Sequence, residues 1–514
     1  MLHGDLLGER ARLTPDRTAL VHVPSGERLS YAELDARAVR CARVWRETLG
    51  LRPGDRLGIL CGNRVEFVEA FFAAPKVGVV LVPLGTRLTA HEIAPIVGDA
   101  GLSGLIYDTP FVETVRMLKT LVRLDHWLAL GPRAESSDSA YHELTSELAD
   151  APFERADCAP ENLHCLLYTS GTTGKPKGVM VPQRMVAWNG YNTVACWGLR
   201  EDDVSPIFTP LYHAGGLGAF LVPIFTVGGT IVLHAGFDAS EIWRTVESER
   251  CSVVLGVPTI WKLLMEAPEF ESADLSHVRW LISGGAPLPV YIIEAYQRRG
   301  VVFKQGYGLT EVGVNCFSMT VEDSRRKAGS IGRPLMYTEA RLLGENGAPV
   351  GTDEVGELLL RGPHVTSGYW RNPQATAEAL DADGFFHTGD LARRDAEGFF
   401  TIAGRRKDMI ISGGVNVYPA EVEGLLLLHP SVRDAAVVGV PHETWGEAGV
   451  AFVVADPAAP PTAEALAAFL LERLAKYKLP REYVFVEALP RTAYGKLLKG
   501  ELRERWLSGR EGGG

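Results

Sequence analysis

"HVRWLISGGAPLPVYIIEAYQRRGVVFKQGYGLTE", His277 to Glu311, decides the fold class. "HVRWLIS" reads as a strand running into a Gly-Pro loop, "VYIIEAYQRRG" as a helix ended by Gly300, and "VVFKQGYGLTE" as strand and loop again. Just upstream, "ASEIWRTVESER" is an amphipathic helix with Ser240 near its start. "CSVVLGVP" follows as a β-branched strand and "TIWKLLMEA" as a helix after Pro258. Such repetition predicts an α/β protein of largely parallel sheets with helices on their faces. Ligands of such sheets sit beyond the strands' carboxyl ends. Gly284-Gly285 and Tyr307-Gly308 fall there.

Working outward, the texture changes from about Val355 to short β pieces such as "VGELLLRG" and "GFFHTGD". A boundary is expected at Gly404 to Lys407. Beyond it, "PAEVEGLLLLHP" is a helix with Pro419 in its first turn. "VRDAAVVGVP" and "VAFVVADP" read as paired strands, and "PTAEALAAFLLERLAKY" as a long amphipathic helix. A chain of 514 residues is too long for one core. The expectation is a large N-terminal part, 1–404, with parallel-rich sheets packed by helices plus a β-rich section, and a small mobile α+β domain, 405–514.

Composition is that of a globular enzyme: 46% hydrophobic, 22% charged. The formal net charge of −11 argues against a nucleic-acid partner, which would call for a basic stripe. Seven scattered cysteines without a C-x-x-C suit buried thiols in a reducing compartment. The charged start, "MLHGDLLGERARLTPDR", is unlike a signal peptide, so a cytoplasmic location is expected. Ala214 to Phe237 carries no Asp, Glu, Lys or Arg and is long enough to span a bilayer. Pro223 and Gly228-Gly229 break it, so a buried helix, a turn and a core strand are predicted and no transmembrane segment.

"YTSGTTGKPKG", Tyr168 to Gly178, has the makings of a phosphate-holding loop: glycines for close backbone approach, hydroxyls, and two lysines. It is not a Walker A loop, because only two residues separate Gly171 from Gly174 and Pro176 follows Lys175. Read alone, it leaves a Gly/Thr-rich surface turn open.

Taken in order with "LYHAGGL" at Leu211, "QGYGLTE" at Gln305, "HTGD" at His387, "GRRKDMIISGGVNVYPAEVE" at Gly404 and "LPRTAYGK" ending at Lys496, this loop makes the chain resemble the adenylate-forming superfamily of acyl-CoA synthetases, adenylation domains and firefly luciferase. The likeness covers nearly the whole chain and is closest in texture to the fatty-acid–CoA ligases. It implies that a carboxylic acid attacks ATP, releasing pyrophosphate, and that a thiol, usually coenzyme A, then displaces AMP.

The resemblance also implies roles. Thr169, Ser170, Gly171, Thr172, Thr173, Gly174 and Lys175 would hold the β- and γ-phosphates, with Lys177 either assisting or solvated. Gly284, Gly285, Ala286 and Pro287 would line one face of adenine and Tyr307, between Gly306 and Gly308, the other. Thr310 would meet the α-phosphate and Glu311 would bind Mg²⁺. Asp390 would accept from the ribose hydroxyls, helped by Arg405. Lys496 would bridge carboxylate and α-phosphate. His213 would orient the carboxylate and gate the thiol, with Gly215, Gly216 and Gly218 leaving space around it. The small domain would turn about a hinge near Lys407 to present Gly413-Gly414 to the pantetheine arm. Val415 and Tyr494 depart from the common Glu and Ser of the family, which bears on that second face.

The resemblance also bears on the acid: the Trp that closes the pocket of acetate-activating relatives and the Asp of amino-acid-activating ones are both missing from "LYHAGGLGAF", which implies a medium- or long-chain fatty acid as the first expectation. An aryl acid, or loading of a carrier protein, is the alternative; a nucleotide-binding pseudoenzyme is a third. A long-chain substrate would allow peripheral membrane contact, and a homodimer is expected.

Overall fold

A computed structural model describes residues 4–146, 153–169, 176–286, 288–492 and 497–511. The strands read from the opening stretch form a three-stranded parallel sheet, Val253–Gly256, Trp280–Ser283 and Phe303–Gln305, in that order. Helices Pro258–Glu266 and Val290–Arg298 pack on it through an aromatic cluster. Trp261 meets Phe303 at 4.9 Å between ring centroids and Tyr296 at 5.4 Å, both edge to face. Such pairs add about 0.5–1.5 kcal/mol beyond their burial. The cluster fixes the base of the sheet and thereby the loops at its carboxyl end.

Next to it, Val204–Ile207, Thr230–Leu233, Thr18–His22 and Glu27–Ser30 form a four-stranded sheet. The joint between the two sheets is held by buried Asp203, whose two oxygens accept from Arg279 Nη1 at 2.6 Å and one of which also accepts from Ser252 Oγ. A seven-stranded sheet, parallel except for the hairpin Leu163–Thr169/Lys177–Pro182, makes the largest layer. Helix Val65–Val77, apolar on nearly every side, is buried against it, as all-round apolar helices must be. The segment Ala214–Phe237 is helical to Val227, turns at Gly228 with φ +90°, and continues as strand Thr230–Leu233. Among the described residues no helix is long and apolar enough to cross a membrane. All seven cysteines are free thiols, six of them buried.

The β-rich section is a four-stranded antiparallel sheet, Glu339–Leu343, Gly356–Arg361, Phe386–Arg394 and Phe400–Arg405. Arg405, expected to open the C-terminal part, is the last residue of this sheet, opposite Asp390. A 3₁₀ turn, Arg406–Asp408, then leads to a second body of chain. Two hydrophobic clusters between Ile410 and Trp506 are built only from residues of that segment. The expected strand pair is there as the long hairpin Val432–His442/Gly446–Ala455. Helix Ala463–Leu471 is shorter than its periodicity suggests. The chain turns after it so that Leu474 and Leu479 pack on the same cluster as Leu466 and Leu470. Tertiary packing here overrides a continuous helical pattern.

Candidate active site

The carboxyl ends of the three parallel strands open into a large cleft of about 860 Å³. Gly284, Gly285 and Ala286 follow Ser283 on one side, and Gly306, Tyr307 and Gly308 follow Gln305 on the other. A Cβ on Gly284 would meet nothing within 4 Å, so this wall is open and flat. Gly308 is different. A Cβ there would lie 2.3 Å from the backbone carbonyl of Val314, so only glycine lets the two loops touch. Gly308→Ala is therefore expected to cost about 1–3 kcal/mol through backbone displacement. Its Tm should fall and its KM for ATP rise about ten-fold or more, measured by thermal melting and initial rates.

Tyr307 is buried and its hydroxyl donates to Asp390 Oδ2 at 2.6 Å. Burial and the neighbouring carboxylate push the phenol well above its ordinary range, so it stays a donor. Asp390 is fixed from three further directions. Its strand pairs with that of Arg405, whose Nε lies 3.4 Å from Oδ1, and its own backbone N–H donates to Thr388 Oγ1 at 3.1 Å. The strand register thus makes a small polar unit from Tyr307, Asp390 and Arg405.

Thr310 and Glu311 sit in the single turn Thr310–Val312. The backbone of Glu311 is held by Thr366 N–H (2.8 Å), and its side chain accepts from Tyr369 OH at 3.1 Å. Lys177 Nζ lies 5.2 Å from the centroid of the same Tyr369 ring. Lys177 lines the cleft together with Thr169. Among the described residues no three His, Cys, Asp or Glu side chains come together as a metal site. Glu311 fits an Mg²⁺ that takes one carboxylate and completes its shell with phosphate oxygens and water.

His213 begins a short helical segment, its carbonyl accepting from Gly216 N–H at 3.0 Å, and its ring lies against Tyr212 at 4.6 Å. Burial pulls its imidazole down to about 4, so it is neutral at pH 7. The surrounding glycines do not simply leave space. Gly216 brings the backbone against Pro210, where a Cβ would be 2.3 Å from the carbonyl oxygen, and Gly218 packs on Val314. Only Gly215 of the three lines the cleft.

Sharing Ala214, Thr310 and Val314 with the cleft is a second, smaller cavity. Phe71, Cys165, Leu167, Val181, Met185 and Leu217 make its walls almost wholly apolar. Asn189 is the polar side chain in it besides Thr310.

From the far side, Arg491 and Thr492 reach the cleft, and Arg491 is anchored by Asp434 Oδ2 at 2.7 Å and by a bridge to Leu497. Lys496 lies outside the described residues, as do Ser170, Gly171, Thr172, Thr173, Gly174, Lys175, Pro287 and Tyr494. Gly413 and Gly414 are not brought to the cleft. They make the turn of the hairpin Ile410–Ser412/Val415–Val417, both at positive φ, with Gly413 against Trp445. Sequence reading missed Tyr369, Arg491, Thr492 and Asn189. Thr388 lay unremarked within the quoted "HTGD".

The family model described as AMP-binding enzyme matches residues 7–370, and that of the AMP-binding enzyme C-terminal domain matches 421–496. The chain is 41% identical to a feruloyl-CoA synthase of Amycolatopsis sp over 497 residues, 97% of each chain. It is 36% identical to the long-chain-fatty-acid–CoA ligase FadD13 of Mycobacterium tuberculosis over 507 residues, 98% of each. ATP-bound MatB from Rhodopseudomonas palustris superposes with a TM-score of 0.89 at 32% identity, covering 98% of this chain and 99% of that one. The apo form of the same protein superposes with 0.79.

Proposed function

The chain belongs to the AMP-binding enzyme family and is an AMP-forming acid–CoA ligase; we propose that its acid is a compact aryl acid, about the size of a phenylpropenoate. The carrying observation is the apolar lining of the small cavity that opens beside Ala214 and Thr310. Its far wall is the central sheet itself: Cys165, Leu167 and Val181 are core residues of the seven-stranded layer, and Phe71 is buried in the helix behind it. A flat ring with a short tether suits a short apolar recess that ends on packed core residues. A long acyl chain would have to displace that core. The feruloyl-CoA synthase likeness supports the same reading. The fatty-acid substrate expected from the sequence has the support of the long-chain ligase relative, and its shorter members suit the cavity better.

The chemistry needs positioning more than proton transfer. A carboxylic acid is already ionised at neutral pH, so the first step asks the protein to hold two anions together and neutralise charge at the α-phosphate. The flat loop Gly284–Ala286 and Tyr307 would hold adenine, and Asp390 with Arg405 the ribose. Thr310 would donate to the α-phosphate, while Thr169 and Lys177, with the loop residues 170–175 between them, would hold the β- and γ-phosphates. Glu311 would hold Mg²⁺, which supplies charge neutralisation on the phosphates. A neutral His213 can donate to the carboxylate without adding a charge that would have to be desolvated.

We read the division at Arg406–Asp408 as a hinge near Lys407. The better superposition on the ATP-bound relative, and Arg491 and Thr492 at the cleft, support an arrangement suited to adenylation. Turning the small domain would then carry Gly413-Gly414 towards the thiol. The test is a panel of acids, with benzoate, cinnamates and saturated chains of increasing length, scored by CoA-dependent thioester formation and by pyrophosphate release. The highest kcat/KM is expected among the cinnamates; a maximum at a long saturated chain would overturn the aryl assignment.

A further inference from the structure

Asn189 is 4% exposed and sits on helix Gln183–Trp197, facing the apolar cavity. Its amide is oriented by its surroundings. Nδ2 donates to Gly218 O at 2.6 Å, and a carbonyl can only accept, so the amide nitrogen must be the atom on that side. The rest of the neighbourhood is equally fixed. Thr193 Oγ1 donates to the Asn189 carbonyl at 2.6 Å, and Asn315 Nδ2 donates to Thr193 Oγ1 at 3.0 Å and to Ala219 O at 3.1 Å. Gly218 and Ala219 lie in a π-helical turn, Leu217–Leu221, a form of helix often found at functional sites.

With Nδ2 committed, Oδ1 is left on the other side. It is buried and has no hydrogen-bond partner among the described residues. Gly313 keeps the space beside it clear: a Cβ at that position would lie 3.2 Å from Oδ1. An unpaired acceptor buried among Leu217, Val222, Val314 and Met185 is costly to maintain. It is also what a site built to recognise a donor requires.

We propose that Asn189 determines acid specificity by accepting, through Oδ1, a hydrogen bond from a hydroxyl or N–H group carried on the body of the acid, away from its carboxylate. The proposal rests on the reading that this cavity receives the acid. Thr310, at the mouth shared with the cleft, belongs to the carboxylate end; Asn189 belongs to the part that distinguishes one acid from another. A ring bearing a phenolic hydroxyl satisfies both ends at once. A methyl ether at the same place offers no proton and leaves Oδ1 unpaired.

The test compares kcat/KM for cinnamate with its 3-hydroxy, 4-hydroxy and 4-methoxy derivatives. The unaltered enzyme is expected to favour one hydroxycinnamate over cinnamate and over the methyl ether by about ten-fold or more. Asn189→Leu, close in volume and without an acceptor, should bring those ratios to about one or reverse them. Because ratios are compared within one protein, partial loss of folded variant does not mimic the result. Ratios near one in the unaltered enzyme, or an unchanged preference in Asn189→Leu, would overturn the proposal. If only aliphatic acids are turned over, the aryl reading falls by itself. The comparison of 8-hydroxyoctanoate with octanoate then decides the role of Asn189 in the same way.

Discussion

Lys496→Ala is expected to lower acyl-adenylate formation by about 10²–10³-fold, the usual effect of removing one preorganised charge-stabilising donor. Thioester formation from a supplied acyl-adenylate should stay within a few-fold of the unaltered enzyme, on the same scale of effects. The reasoning begins with the reaction. As the carboxylate oxygen approaches the α-phosphorus, negative charge gathers where water is excluded, and a cation that arrives only for this step stabilises it selectively. Four residues before Lys496, Thr492 lines the cleft, and Arg491 is tied both to Asp434 and to Leu497 on the other side of the lysine. Arg491 and Thr492 at the cleft's edge, and Leu497 bridged to Arg491, thus bracket the segment that carries Lys496. Pyrophosphate exchange reports the first half-reaction, and AMP release from added adenylate the second. Equal losses in the two would strip Lys496 of a step-specific role. Lys496→Arg should recover only part of the first activity, since a planar fork does not reproduce a compact ammonium.

Much of this was legible because strand and loop alternate so plainly. Between Val253 and Gln305 each short apolar strand ends in glycine or proline, and the parallel order puts Gly284-Gly285 and Tyr307-Gly308 side by side whatever the helices between them do. The pairing of Asp390 with Arg405 follows from hairpin register, which a short β-rich segment suggests without specifying. Asn189 could not be found this way. One polar residue on a helix normally faces water, and its inward orientation depends on a carbonyl 29 residues on and an asparagine that bonds its helix across 122 residues of chain. Tyr369 is hidden for the same reason, 58 residues from the Glu311 it contacts. Gly413-Gly414 show the opposite limit: two glycines read the same whether they make a hairpin turn or pass a ligand, and their structure here is that of a turn.

Asp390→Ala is expected to raise the KM for ATP by about 10²-fold, because two separate supports of the nucleotide fail together. The carboxylate is the acceptor for the buried Tyr307 hydroxyl, and its loss leaves that donor unsatisfied beneath the adenine wall, at a cost of about 1–3 kcal/mol. It is also the group facing Arg405 across the strand pair and the expected acceptor for the ribose hydroxyls. Asp390→Asn separates the two effects. Its amide oxygen can still accept from Tyr307, so the melting temperature should stay close to that of the unaltered protein. The charge that faces Arg405, and that is expected to accept from the two ribose hydroxyls, is gone, so the rise in KM should persist at about ten-fold. Tyr307→Phe supplies the complementary case: the ring remains, only the hydroxyl donor is lost, Asp390 keeps its contact with Arg405, and ATP binding should be affected least. If Asp390→Asn and Asp390→Ala lost stability equally while KM for ATP stayed unchanged in both, Asp390 would be a structural buttress for Tyr307 and the ribose would have to be held elsewhere.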